Sequence, residues 1–521
     1  MSRRRTLLWL VVYLGLSATL LAAVWPHLAN FPPVSADEVS IMSVSFKLAS
    51  QGVLGSDLYA GLYGADRHHF LALPGQHFFQ AVFFGVFGAG VAQARAPSVV
   101  AGVIVLWTVG WLAYRWIGLG CSVMTGILLL FWRSNLIAPD ARPPLVALAQ
   151  SGRYDVTVLA GWWVVIAVLD RHVDRPRRIT AVACGLFAGL TALTQFYGAG
   201  ALICCAAALW VRRTSTSQPL YSRALALAAL VPIAFYAAYA VANWTDFAGQ
   251  AMLKPTRVRF YDPFFYVVNV ANEWRRWEWL LRPSPDVLGA WLTLLAVLLA
   301  FLAGAQLLRS GKFVAFVSVL VPFLSLAILD SIKPRIYASL AVPVLCFGLA
   351  VALTGLPLGF RRPTWWTGAR TAAGCVLIVW IVVDGLDGYR FLAREGPRVS
   401  QYSAVGERIA AALQDPVQVF GSQRWWWALR TYRYRSLSAQ WDIWQVEQGP
   451  AGSPDFGSML DRLGGAYFIL DDDTRGDLTR VPPELRRQVN DILTSGSAIV
   501  ASWSDPTYGL FEIYRYRPRG L

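Results

Sequence analysis

The chain has 521 residues, 56% of them hydrophobic and only 15% charged. Soluble domains carry about 25% charged residues, so these values exclude an ordinary soluble enzyme and indicate a polytopic membrane protein with sequence left over for one soluble domain. The net charge of +15 does not argue for nucleic acid, because the basic residues sit at the ends of apolar runs, where the positive-inside rule places them.

Taken in chain order, Arg3-Arg4-Arg5 and the apolar stretch from Leu7 to Trp25 have the outline of a signal peptide. The stretch is longer than a usual h-region and no small-x-small cleavage site follows, so we expect an uncleaved first helix. Further apolar runs predict helices near 76–92, 98–116, 119–134, 155–170, 179–195, 197–211, 224–243, 287–308, 313–330, 336–357 and 371–388. Basic clusters at 3–5, 171–178, 212–223, 309–312 and 361–370 place the N-terminus and those turns in the cytoplasm. Loops 26–75, 135–154, 244–286 and 330–335 then share the outer face with everything after 388. Three runs separate the first two of those loops, which an odd number of crossings would put on opposite sides. Making 76–92 interfacial or re-entrant removes the conflict and leaves about 11 to 12 membrane helices, eleven of them full crossings. The six cysteines lie in apolar segments with no disulfide or zinc spacing.

Residues 390–521 alternate short apolar strands (417–420, 466–470, 497–502, 510–516) with helix-like stretches (401–413, 457–463, 483–494). The expected fold class is thus a polytopic α-helical membrane protein, residues 1–389, carrying a small extracytoplasmic α/β domain at 390–521.

Chemistry concentrates in the outer loops. Loop 26–75 opens on Asp37-Glu38, followed by an amphipathic pattern from Val39 to Ser50 and then Asp57, Asp66, Arg67, His68 and His69. That helix is expected along the bilayer with Ile41, Val44 and Leu48 towards lipid, which holds the acidic pair at head-group depth. A carboxylate there can serve as a general base; it can equally be a solvated acid or a helix N-cap. Loop 135–154 ends on Arg153-Tyr154, and Asp155 opens the next span. Its carboxylate is either functional, as ionisable groups at membrane depth tend to be, or held by Arg153 and the helix dipole. Loop 244–286 interleaves Lys254, Arg257, Arg259, Glu273, Arg275 and Arg276 with aromatics, and loop 330–335 adds Lys333 and Arg335. Such cations suit a phosphorylated lipid or an ordinary aromatic belt. In the tail, Asp471-Asp472-Asp473 after a strand offers a weak metal-nucleotide motif. Trp425-Trp426-Trp427 is either a sugar-stacking surface or core.

Several strings occur in a shared order: Asp37-Glu38, Leu73-Pro74-Gly75-Gln76-His77-Phe78-Phe79, Ala94-Arg95-Ala96-Pro97-Ser98, Arg153-Tyr154-Asp155, Thr194-Gln195-Phe196-Tyr197-Gly198 and Lys333-Pro334-Arg335-Ile336-Tyr337. This layout, over roughly 1–390, resembles the GT-C superfamily of integral-membrane glycosyltransferases. The nearest branch is that of protein O-mannosyltransferases, lipid A aminoarabinose transferases and rhizobial galacturonosyltransferase-like domains. The resemblance implies a polyprenyl-phosphate sugar donor, an acceptor that is a glycan, lipid or protein, and inverting transfer on the outer face of a bacterial or archaeal plasma membrane. It implies Asp37 as base with Glu38 beside it, Asp155 as the second acid, and Arg67, His69, Arg153, Lys333 and Arg335 as phosphate ligands. On electrostatic grounds we expect no obligatory cofactor or metal, since cations can stabilise a departing lipid phosphate. The chain departs from the family at Leu73-Pro74-Gly75-Gln76, where a basic residue followed by Pro-Pro-Leu is usual. The alternatives are a transporter or flippase of a lipid-linked glycan, or a surface-glycan polymerase or ligase. The absence of repeated halves and the outer-loop location of the charges favour the transferase.

Overall fold

The computed structural model describes residues 3–133, 142–215, 221–252, 262–278, 287–331, 335–354, 364–414, 418–437, 456–463, 465–481 and 483–518. All twelve apolar runs coincide with helices. Among the described residues, five helices are long and apolar enough to cross a membrane: Arg3–His27, Val91–Trp116, Asp155–Asp174, Ser222–Ala242 and Trp291–Arg309. Five more, Leu119–Phe131, Arg178–Ala192, Phe196–Val211, Phe313–Leu329 and Val342–Thr354, are apolar and shorter. The last run lies inside the helix Thr364–Glu395. The run at 76–92 is the helix Gly75–Phe87, whose 13 residues reach about 20 Å at 1.5 Å per residue. That is short of a hydrocarbon core of about 30 Å.

The chain divides into two compact units. The first comprises Met1–Pro26, Pro97–Ala238 and Arg259–Glu395. Its helices meet through small residues and indole or phenol anchors. Trp9 donates to Ser122 Oγ at 3.0 Å and Tyr13 to the Ser122 carbonyl at 2.7 Å, tying the first helix to Leu119–Phe131. An added methyl at Gly110 would sit 1.9 Å from the Tyr13 hydroxyl. Arg276, one of the cations of loop 244–286, is buried. It pairs with Asp330 at 2.6 Å and Glu273 at 2.8 Å.

The second unit comprises His27–Ala96, Tyr239–Val258 and Gly396–Leu521. Its centre is a mixed sheet of β1 (Gln418–Gly421), β2 (Arg433–Ser436), β3 (Ala466–Leu470), β4 (Ser497–Asp505) and β5 (Gly509–Tyr516). The order is β2-β1-β3-β5-β4, with β1 parallel to β2 and β3, and β5 antiparallel to β3 and β4. All residues of β1 and β3 are buried, as strands covered on both faces must be. One face, with Phe420 and Phe468, packs on the helices Phe456–Arg462 and Pro483–Ser495. The other, with Val419, Tyr467 and Ile513, shares its core with Val39, Met42, Leu58 and Tyr59 of the first loop.

That shared core corrects one expectation. The amphipathic helix runs Ala36–Gln51, but Ile41 and Val44 are buried in protein and do not face lipid. The first loop also shares a core with the tail. The three tryptophans Trp425, Trp426 and Trp427 are core and offer no sugar-stacking surface.

Candidate active site

The first loop is built to present one carboxylate and bury the next. Ser35 caps the helix Ala36–Gln51: its hydroxyl accepts from the Glu38 N–H, and Glu38 reaches back to the Ser35 N–H at 3.2 Å. This reciprocal capping box satisfies two backbone donors at once. Glu38, only 2% exposed, also accepts from Arg95 Nε at 2.9 Å and Nη2 at 2.8 Å. Arg95 is fully buried and also donates to the carbonyls of Leu28 and Pro32. A bidentate guanidinium–carboxylate pair fixes both planes, so the entry of the loop into the helix is rigid. Asp37 lies in the same first turn and is exposed.

The rest of the loop is held from both ends. Tyr59 shares a 2.6 Å hydrogen bond with Ser40 and donates to Gln423 at 3.1 Å. Ser43 and Ser56 meet at 2.6 Å, and Lys47 pairs with Asp57. From the helix Trp244–Met252, Gln250 accepts from the Phe70 N–H at 2.7 Å and donates to the carbonyls of Tyr63 and His68. His68 meets Asp246 at 2.8 Å. Gly64 adopts a left-handed φ of +65° in this turn, where an added methyl would run into the Asp246 carboxylate. Arg67 projects from the clamped turn, exposed and without an ion pair among the described residues. His69 is buried, ring to ring with Tyr59 at 5.8 Å and His77 at 5.5 Å. His77 spends Nδ1 on the Ile41 carbonyl at 3.2 Å, while its buried Nε2 has no hydrogen-bond partner. Burial pushes its imidazole down to about 4, which keeps the ring neutral.

In the other unit, Asp155 opens the helix Asp155–Asp174 and is 2% exposed. Arg153 Nε donates to one oxygen at 3.0 Å and the Tyr197 hydroxyl to the other at 3.0 Å. The Tyr197 ring lies 5.0 Å from that of Tyr337 at a tilt of 52°, and the Tyr337 hydroxyl lies 3.2 Å from that of Tyr154. The structure thus brings Arg153 and Asp155 together and surrounds them with three tyrosines. Lys333 lies outside the described residues, as do Lys254, Arg257 and Arg259. Arg335 starts the 3-10 helix Arg335–Ala341, and its side chain is also outside the description.

Three residues gained roles that sequence reasoning had not assigned: Arg95, Tyr197 and Tyr337. Each stood inside a string already picked out by its order. A lone arginine in an otherwise apolar helix start was the available signal for Arg95. The acidic motif of the tail is spent on structure. Asp471 caps the helix Asp472–Arg480 through Thr474 and accepts from Trp425 Nε1 at 2.8 Å. Asp473 accepts from Ser422, and Asp472 pairs with Arg475. No group of three metal-ligating side chains occurs among the described residues.

No family model matches the sequence, and no curated protein matches it. Solved structures do match. ArnT from Cupriavidus metallidurans bound to undecaprenyl phosphate shares 17% identity, with 99% of this chain and 98% of that chain covered and a TM-score of 0.58. The archaeal oligosaccharyltransferase AglB from Archaeoglobus fulgidus, in complex with an inhibitory peptide and a dolichol-phosphate, shares 10% identity. There 100% of this chain and 75% of that chain are covered, with a TM-score of 0.54. These likenesses show the fold: over nearly its whole length this chain folds as those two solved proteins do, with several helices apolar and long enough to cross a membrane and a small C-terminal sheet.

Proposed function

We propose that this chain transfers a sugar from a polyprenyl-phosphate donor to a hydroxyl or amine acceptor on the non-cytoplasmic face of the membrane. Two of the proteins it resembles were solved with undecaprenyl phosphate and with a dolichol-phosphate. The observation that carries the reading is the contrast within the acidic pair: Asp37 exposed, on a helix start that Glu38 and Arg95 hold rigid.

Asp37 acts as general base. It removes the acceptor proton as the acceptor's lone pair attacks the anomeric carbon. The bond from that carbon to the phosphate oxygen breaks, and its electron pair leaves with polyprenyl phosphate. One in-line displacement inverts the configuration. Glu38 supports the base and touches no substrate. Arg153, Lys333 and Arg335 bind phosphate, Arg153 being aimed by Asp155, and Asp155 orients substrate through Tyr197. Cations are needed on electrostatic grounds: two like charges 4 Å apart at an effective dielectric of ~20 repel by about 4 kcal/mol. Arg67, exposed on a clamped turn, is a further phosphate ligand, and buried His69 supports that turn.

Transfer of radiolabelled sugar from a panel of polyprenyl-phosphate sugars in proteoliposomes tests this. Asp37→Asn is expected to lose transfer by roughly 10²–10⁴-fold and to unfold at the wild-type temperature. Full transfer by that variant would remove Asp37 from the mechanism.

A further inference from the structure

The membrane unit carries a feature that sugar transfer does not use. Near residues 171–179, where the helix Asp155–Asp174 gives way to Arg178–Ala192, a groove of about 480 Å³ opens among four helices. Its lining is apolar: Trp9 from the first helix, Trp107 and Trp111 from Val91–Trp116, and Ile179 and Ala183 from Arg178–Ala192, with Arg171 at the rim. Ile179 is 75% exposed, so the groove is not sealed. Its shape is held from behind. Trp9 is hydrogen-bonded to Ser122, Trp107 to Ser17 at 2.8 Å, and Trp111 lies under the Arg115 guanidinium at 5.3 Å.

Arg171 lines the groove, and the segment from it to Ile179, which also lines the groove, is strongly basic. Arg171, Arg175, Arg177 and Arg178 are all exposed, and none has a carboxylate partner among the described residues. The two nearby acids are already taken, since Asp170 and Asp174 both pair with Arg115. This basic segment is also held in place: buried His172 meets Thr180 Oγ1 at 2.8 Å, and Thr180 donates to the Arg177 carbonyl at 2.8 Å. An apolar groove with Arg171 in its lining, and Arg175, Arg177 and Arg178 in the next seven residues without carboxylate partners among the described residues, is complementary to a molecule with a hydrocarbon tail and an anionic head.

We propose that this groove binds an anionic phospholipid, one acyl chain lying against Trp9, Trp107 and Trp111 and the phosphate held by Arg171, Arg177 and Arg178. The proposal does not depend on the transferase reading.

The test uses the full chain in phosphatidylcholine nanodiscs, titrated with phosphatidylglycerol brominated on its acyl chains, which quenches nearby tryptophans. Wild type should show saturable quenching at low mole fraction. Arg171→Gln, Arg177→Gln and Arg178→Gln combined should weaken it by roughly fivefold for each arginine removed, and the three lysine replacements should restore it. Ala183→Phe, which fills the groove and leaves the arginines in place, should abolish the saturable phase. Equal quenching by brominated phosphatidylcholine, or wild-type behaviour of the triple glutamine variant, would overturn the proposal. So would competition by inorganic phosphate at concentrations comparable to the lipid, which would assign the arginines to a free anion.

Discussion

Glu38 and Asp37 are adjacent in sequence, yet only Glu38 is buried, with both of its oxygens bound to Arg95. Breaking a buried ion pair by removing one charge typically costs 3–5 kcal/mol, because the partner is left buried and uncompensated. Glu38→Gln should therefore lower the thermal unfolding midpoint sharply, and transfer with it. Adding Arg95→Met should regain much of the loss, because no stranded charge then remains. A Glu38→Gln single variant that melts like wild type would show the pair contributes nothing. His77 gives a pH prediction of definite sign. Its folded value of about 4 lies below the ordinary 6.5, so the unfolded chain binds the proton first. Stability is fully present above pH 6.5 and is lost as pH falls from there towards 4, by on the order of 3 kcal/mol. A melting series from pH 7.5 to 4.5 should show that decline, and His77→Gln should flatten it.

Helices were legible where apolar periodicity or length marked them, which is why the runs and the tail's main strands appear where expected. The elements that escaped notice lack that signal. The strand Arg433–Ser436 has four residues, two of them arginines, and the helix Asp472–Arg480 buries little besides Leu478 and Thr474. Both are set by tertiary partners: β1 pairing with β2, and Asp471 capping the helix while receiving the Trp425 indole. Asp471→Ala should cost about 1–3 kcal/mol, as a lost cap and an orphaned buried donor together imply. A chelator should leave the melting of both forms unchanged if the acids serve structure alone. Among the membrane helices, Val287–Arg309 and Val342–Thr354 approach through Ala300 and Gly348. A methyl added at Gly348 would lie 2.6 Å from the Ala300 backbone. In lipid, such close backbone approach replaces the hydrophobic drive for helix association. Gly348→Leu is therefore expected to reduce folded yield in detergent, whereas the same change at Gly120, which has open space nearby apart from Thr354, should be tolerated.

What the sequence hid was the company the first loop keeps. Its helix has an apolar face that reads locally as lipid-facing, and nothing in residues 36–51 indicates that the covering partner lies nearly 400 residues downstream. Local patterns report that a face must be buried, not what buries it. In the structure Val39 and Met42 share one core with Trp425, Trp427 and Ile513, and the Val34 N–H reaches the Tyr508 hydroxyl. Phe46 and Phe84 both contact the Trp427 ring, at 5.4 Å and 5.7 Å. The tail is thus a structural half of the unit that presents Asp37. A chain ending at Glu395 would keep its membrane helices and strip that core from the loop, leaving the apolar face of Ala36–Gln51 uncovered. The truncated protein should insert into membranes and yet be cleaved by added protease within 26–75, where the full chain resists. Transfer should be lost, because the helix start that carries Asp37 no longer has a fixed support. Supplying residues 396–521 as a separate chain should restore protease resistance if the shared core is what orders the loop. A truncated protein whose loop stays resistant would show instead that the capping box and the Glu38–Arg95 pair suffice.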